Sequence, residues 1–123
     1  MKVMTIRIKS ESEAMKDFAQ AFDAARKRRP MKTKKGAYFA SLEAVRKILT
    51  PKRLQLLRAV KAECPKSIYA LAKMTRRNFS SVLKDVELLT RHGLIELTKA
   101  KRSPRRAVHA RVSYDAIQLW IGI

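Results

Sequence analysis

A chain of 123 residues with 46% hydrophobic side chains holds material for one compact core and too little for two. Lys and Arg number 29 against 10 Asp and Glu, and a net charge of +19 repels itself unless a polyanion neutralises part of it, so nucleic acid is the first partner to consider. One cysteine excludes an intramolecular disulfide, His92 and His109 are too far apart for zinc spacing, and no apolar run approaches the ~20 residues of a membrane span. The chain therefore reads as cytoplasmic, with no membrane partner and no cofactor.

The charge is not confined to a tail. Residues 1–49 carry 13 basic and 5 acidic side chains, and residues 50–123 carry 16 and 5. In chain order, residues 3–9 alternate apolar and polar side chains and predict a strand. Ser10 and Glu13 form a capping-box pattern ahead of a helix in which Ala14, Met15, Phe18, Ala21, Phe22 and Ala25 recur at helical spacing. The segment "RKRRPMKTKK", residues 26–35, has seven basic residues and a proline, which predicts an extended, solvated connector that could equally touch phosphate. "AYFA" predicts a short strand and "SLEAVRKIL" a short helix capped by Ser41.

Thr50 before Pro51 is a helix start, because threonine accepts at the N-cap and proline lacks an amide that would have had no partner. Leu54, Leu57 and Val60, with Leu56 beside them, define its buried side, and Pro65 marks its end. Ser67 opens "SIYALAKM", with Ile68, Leu71 and Ala72 inward. Asn78 opens a third helix, which buries Val82, Val86 and Leu89 and stops at Gly93. "LIEL" and "AVHARVSY" are strand-like runs separated by the basic "TKAKRSPRR". The final "YDAIQLWIGI" alternates Ile117, Leu119, Ile121 and Ile123 as a last strand.

Three helices, the last ending in Gly93-Leu94-Ile95 and leading into a basic hairpin, resemble the winged-helix domain of MarR-type and ArsR-type bacterial and archaeal transcription regulators. "SIYALAKM" followed by "RRNFSSVLKDVELLTRHGLI" resembles in particular a group of small antitoxin-type regulators. The resemblance covers residues 50–114. It implies an α+β chain, with a winged helix-turn-helix DNA-binding domain and C-terminal strand in residues 50–123. Residues 1–49 form a strand-helix extension, expected with the C-terminal strand to serve dimerisation or partner binding. Such regulators usually have a glycine in the turn between the second and third helices, where Arg76 stands here. Arginine meets a steric cost at positive φ unless the turn is reshaped.

A helix entering the major groove needs exposed residues short enough to admit it and polar enough to reach base edges or phosphates. Ser80, Ser81 and Lys84 meet that need, with Arg76, Arg77 and Asn78 leading into them. The plainer alternative is that Asn78, Ser80 and Ser81 are good residues for a helix start, and the cap by itself accounts for Asn78. In the hairpin, Lys99, Lys101, Arg102, Arg105 and Arg106 suit phosphates or an adjacent minor groove, or else protect a strand edge by charge. Cys64 reads as a boundary residue and the acidic residues as surface ion pairs. No catalytic arrangement of Ser, His and Asp, paired carboxylates or metal ligands can be assembled, which argues against an enzyme. The expectation is a dimeric repressor that binds double-stranded DNA in a sequence-specific way. Its alternatives are an antitoxin that neutralises a partner toxin and represses the shared operon, and a basic architectural or RNA-binding protein.

Overall fold

Five side chains decide where the helices begin. A computed structural model describes residues 1–27, 37–99 and 108–123, apart from the side chains of Glu11, Ala14 and Lys99. Ser10 caps α1 (Glu11–Arg26), Ser41 caps α2 (Leu42–Ile48) and Thr50 caps α3 (Pro51–Glu63). Ser67 caps α4 (Ile68–Thr75) and Asn78 caps α5 (Phe79–Arg91). Each accepts a backbone amide of the first turn, at distances from 2.8 Å for Asn78 to 3.3 Å for Ser10 and Thr50. A cap of this kind stabilises its helix by about 1 kcal/mol. The strands are β1 (Val3–Ile8), β2 (Ala37–Phe39), β3 (Glu96–Lys99), β4 (Val108–Arg111) and β5 (Ala116–Ile121). The chain is thus mixed α+β.

The two ends of the chain meet in one sheet of order β2-β1-β5, in which both pairings are parallel. Parallel neighbours need a crossover, and α1 lies between β1 and β2 in the chain to provide it. Alternation along β1 turns Met4, Ile6 and Ile8 to one face, where Ala37, Phe39 and Ile117 join them against the helices. The opposite face carries Tyr38, Arg7 and Trp120 in one row across the three strands. Arg7 lies 5.2 Å over the Trp120 ring and Lys9 4.1 Å over that of Tyr38, both within reach of a cation–π attraction. Asp115 latches the ends together: its amide donates to the Lys2 carbonyl at 2.7 Å and its carboxylate accepts from the Lys2 amide at 2.9 Å. That amide, with Lys61 beside it, holds the Asp115 carboxyl below its ordinary pKa.

Helices α3, α4 and α5 close around Leu56, Leu71, Val82 and Leu89, all fully buried. The expected inward residues of α4 and α5 are those buried, while Leu54 is only half-buried. The same cluster includes Ile6, Ile8, Phe39 and Val45, so apolar packing runs across residue 49 and joins the sheet to the helices. The two end strands, expected from the sequence to serve dimerisation, pair with each other along six residues of one chain. Gly93 ends α5 at φ +76°, and β3 and β4 follow as an antiparallel pair. Tyr114 returns from β4 to donate its hydroxyl to the Leu94 carbonyl at 2.8 Å, and burial pushes its pKa up to about 12. His92 caps the end of α5 and stacks on Phe39 at 5.0 Å between centroids, which ties that helix to β2.

Helix α1 turns its apolar stripe outward, and Met15, Phe18 and Phe22 are all exposed. Most of the basic connector and the turn between β3 and β4 fall at residues 28–36 and 100–107, outside the described residues.

Candidate nucleic-acid interface

The turn between α4 and α5 is held in the left-handed region by an arginine. Arg76 has φ +54° and ψ +41°, so the backbone keeps the conformation that a glycine would adopt without strain. Two amides close the turn, Arg76 to the Lys73 carbonyl at 3.2 Å and Arg77 to that of Ala72 at 3.0 Å. The turn is therefore not reshaped around arginine, and the Arg76 side chain is exposed.

Asn78, Ser80, Ser81 and Lys84 are exposed as well, beginning from this turn. Asn78 also performs the capping role, since its side-chain oxygen accepts the Ser80 amide at 2.8 Å. Ser80, Lys84, Glu87 and Arg91 recur at i, i+4, i+7 and i+11 along the exposed side of α5, opposite Val82, Val86 and Leu89. Arg91 is thus a basic residue on this line that the sequence reading passed over. On α4, Tyr69 and Lys73 are also exposed one turn apart, with the ammonium 4.8 Å from the ring centroid. They occupy the face opposite Ile68 and Leu71, and the i, i+4 spacing in "SIYALAKM" was the signal for them.

Arg77 sits differently from its neighbours. Its Nη2 donates to Asp85 Oδ2 at 2.8 Å, while Arg53 Nε donates to Asp85 Oδ1 at 3.1 Å. Arg53 continues to the carbonyls of Lys47, at 2.7 Å, and Ile48, at 3.2 Å. One carboxylate on α5 thereby joins the α4–α5 turn, the start of α3 and the end of α2. The Asp85 side chain is only 13% exposed, so it is a half-buried clamp and not the surface ion pair expected of the chain's carboxylates. Charge-assisted bonds in such surroundings fix orientation, and here they fix the start of α5 relative to α3. Arg77 Nη1 has no hydrogen-bond partner among the described residues.

Lys99 closes β3, and Lys101, Arg102, Arg105 and Arg106 lie outside the described residues. At the base of this hairpin, Thr98 and His109 hydrogen-bond through their side chains at 2.7 Å. Among the described residues no group of His, Cys, Asp and Glu could hold a metal ion, and no helix is long and apolar enough to cross a membrane.

Residues 48–119 match the model of the HVO_A0114 family. The comparison with curated proteins gives no match. Among solved structures, the YusO protein from Bacillus subtilis aligns with a TM-score of 0.49 at 20% identity, over 85% of this chain and 69% of that one.

Proposed function

The chain belongs to the HVO_A0114 family, and we propose that it is a winged helix-turn-helix regulator that binds double-stranded DNA in a sequence-specific way and acts as a dimeric repressor. The observation that carries this reading is the start of α5: small polar residues and a lysine stand exposed there, on a helix whose position is clamped from behind through Asp85. In this role α5 lies in the major groove, with Ser80, Ser81 and Lys84 toward base edges. Arg76, Tyr69 and Lys73 stand beside it for phosphates, since tyrosine hydroxyls and basic side chains commonly take that part. Arg77 serves as a positioning residue. The basic residues after β3 are assigned to phosphates or the adjacent minor groove, and two-fold symmetry sets the two α5 helices about one helical turn, ~34 Å, apart.

Titration of the chain and its Ser81→Ala and Lys84→Ala variants on duplex from upstream of its own gene, beside scrambled duplex at one fixed salt, tests the assignment. Each variant should lose about 1 to 3 kcal/mol of affinity for the correct duplex and little for the scrambled one. Melting should be nearly unchanged, because exposed substitutions usually move stability by no more than about 0.5 kcal/mol. Variants that retain the full preference remove α5 from the groove and leave binding to charge alone.

A further inference from the structure

The polar side of α1 is the side that faces the rest of the molecule. Asp17 pairs there with Lys9, and a cleft of about 220 Å³ separates Glu13 and Gln20 from Tyr38 and Trp120 on the outer sheet face. The apolar side is turned away, leaving Met15 68%, Phe18 68% and Phe22 63% exposed. Fully burying a side chain of this size stabilises by about 1.5 to 3 kcal/mol, so this face holds a large stabilisation that the single chain does not use. The three residues lie at i, i+3 and i+7, one line along the helix. Continued by one turn in each direction, the line begins at Glu11, the first residue of α1, and ends at Arg26, the last. It is acidic at its start, apolar in its middle and basic at its end. Such a line complements itself when a second copy is turned end for end.

We propose that α1 pairs antiparallel with α1 of a second copy of this chain, across a two-fold axis beside Phe18. The pairing sets Glu11 opposite Arg26 of the second copy and Met15 opposite Phe22 of the second copy, while Phe18 meets its own symmetry mate. Opposed helix dipoles favour the same arrangement. Charge selects this surface from the others. Helix α1 has four acidic and two basic residues, a net charge of −2, within a chain of +19. Two strongly basic bodies can approach through it without bringing their excess charge together. The proposal supplies the seam for the dimeric reading above, on which it rests, and it does not depend on which helix meets DNA.

Sedimentation equilibrium of the full chain tests it. The wild-type chain should sediment as a dimer, and Phe18→Glu should give a monomer with the helical circular dichroism of the parent. Glu11→Arg and Arg26→Glu should each raise the dimer dissociation constant by roughly ten-fold, since each change converts two symmetry-related attractions into repulsions. The two changes together should return it close to the wild-type value. A monomeric wild-type chain, a dimeric Phe18→Glu variant, or a double variant as weak as the single ones would overturn the proposal. A monomeric chain that co-purifies with a different small protein does so too, and assigns the face to that protein. If the sedimentation results hold while the duplex titrations show no preference, the functional reading fails and the seam stands.

Discussion

Helix α5 keeps Val82, Val86 and Leu89 at no more than 1% exposure, whereas α1 leaves Met15, Phe18 and Phe22 at 63% or more. Both helices start from a side-chain cap and both repeat apolar residues at helical spacing. They differ in what their other side does. The exposed side of α5 is short and polar, and its inner side fills the core between α3 and α4. In α1 an ion pair from Asp17 to Lys9 draws the polar side inward over the sheet. An apolar stripe announces a burial surface in both cases, but only in α5 does the same chain supply the surface that covers it.

The sharpest contrast between the helices is in stability. Leu89→Ala should cost about 3 kcal/mol, through lost transfer energy and the cavity left behind. Phe18→Ala, measured in chain dilute enough to be monomeric, should cost no more than about 0.5 kcal/mol. Urea unfolding of the two variants makes the comparison. Equal losses would mean that α1 is packed in the isolated chain and that the difference between the helices is not real.

Asp85→Ala should follow, at about 2 kcal/mol. It leaves Arg53 and Arg77 facing each other without an anion, yet each arginine side chain keeps about a fifth of its surface exposed, which holds the cost below the ~3 to 5 kcal/mol of fully buried pairs. Duplex affinity should fall further than unfolding explains, because the start of α5 loses its anchor. A double-mutant cycle with Arg53→Met separates the pair's coupling from the loss of each partner alone. Coupling near zero would demote the clamp to an incidental contact.

Tyr114→Phe should cost about 1 kcal/mol at neutral pH, for the lost hydrogen bond to Leu94. The pH dependence identifies it. The fold favours the neutral phenol, since the Tyr114 pKa lies near 12 in the folded chain and about 10 when unfolded. Its contribution is complete below pH 10 and is lost as pH rises through 12. The gap between wild type and variant should therefore narrow between pH 10 and 12. A constant gap would place the hydroxyl in solvent.

The smallest effect belongs to the turn. Arg76→Gly should raise stability by about 0.5 kcal/mol, the relief of left-handed strain being partly offset by the greater entropy of unfolded glycine. The same change removes an exposed charge proposed to meet phosphate, so affinity should fall while the melting temperature rises. A lower melting temperature would show that Arg76 does not occupy positive φ in solution.

Helix starts were legible because a cap is a local event. Ser10, Ser41, Thr50, Ser67 and Asn78 each reach an amide no more than three residues away, so the signal and its partner share one short window. The left-handed stop at Gly93 is equally local. Within the candidate site, the exposure of Ser80, Ser81 and Lys84 follows from helical spacing once Val82, Val86 and Leu89 are recognised as core. The inward position of Arg77 does not follow. Its partner Asp85 is eight residues away and shared with Arg53, 32 residues from Asp85, and nothing in the local pattern distinguishes an arginine aimed at a carboxylate from one aimed at solvent.

What the amino-acid sequence determined by itself is therefore the set of elements: their caps, their apolar sides and the basic charge, each fixed by interactions within a turn or two or by composition alone. Tertiary structure decided what those elements cover. Strands β1 and β5 pair within one chain and bring together residues as distant as Lys2 and Asp115, a partnership that neither strand's own pattern announced. With β1 held between β2 and β5, and Met4, Ile6, Ile8, Ala37, Phe39 and Ile117 turned toward the helices, the described residues leave the apolar side of α1 uncovered. Backbone edges and apolar stripes carry no address for their partners, so which ones meet is settled only by the fold that buries most of them together.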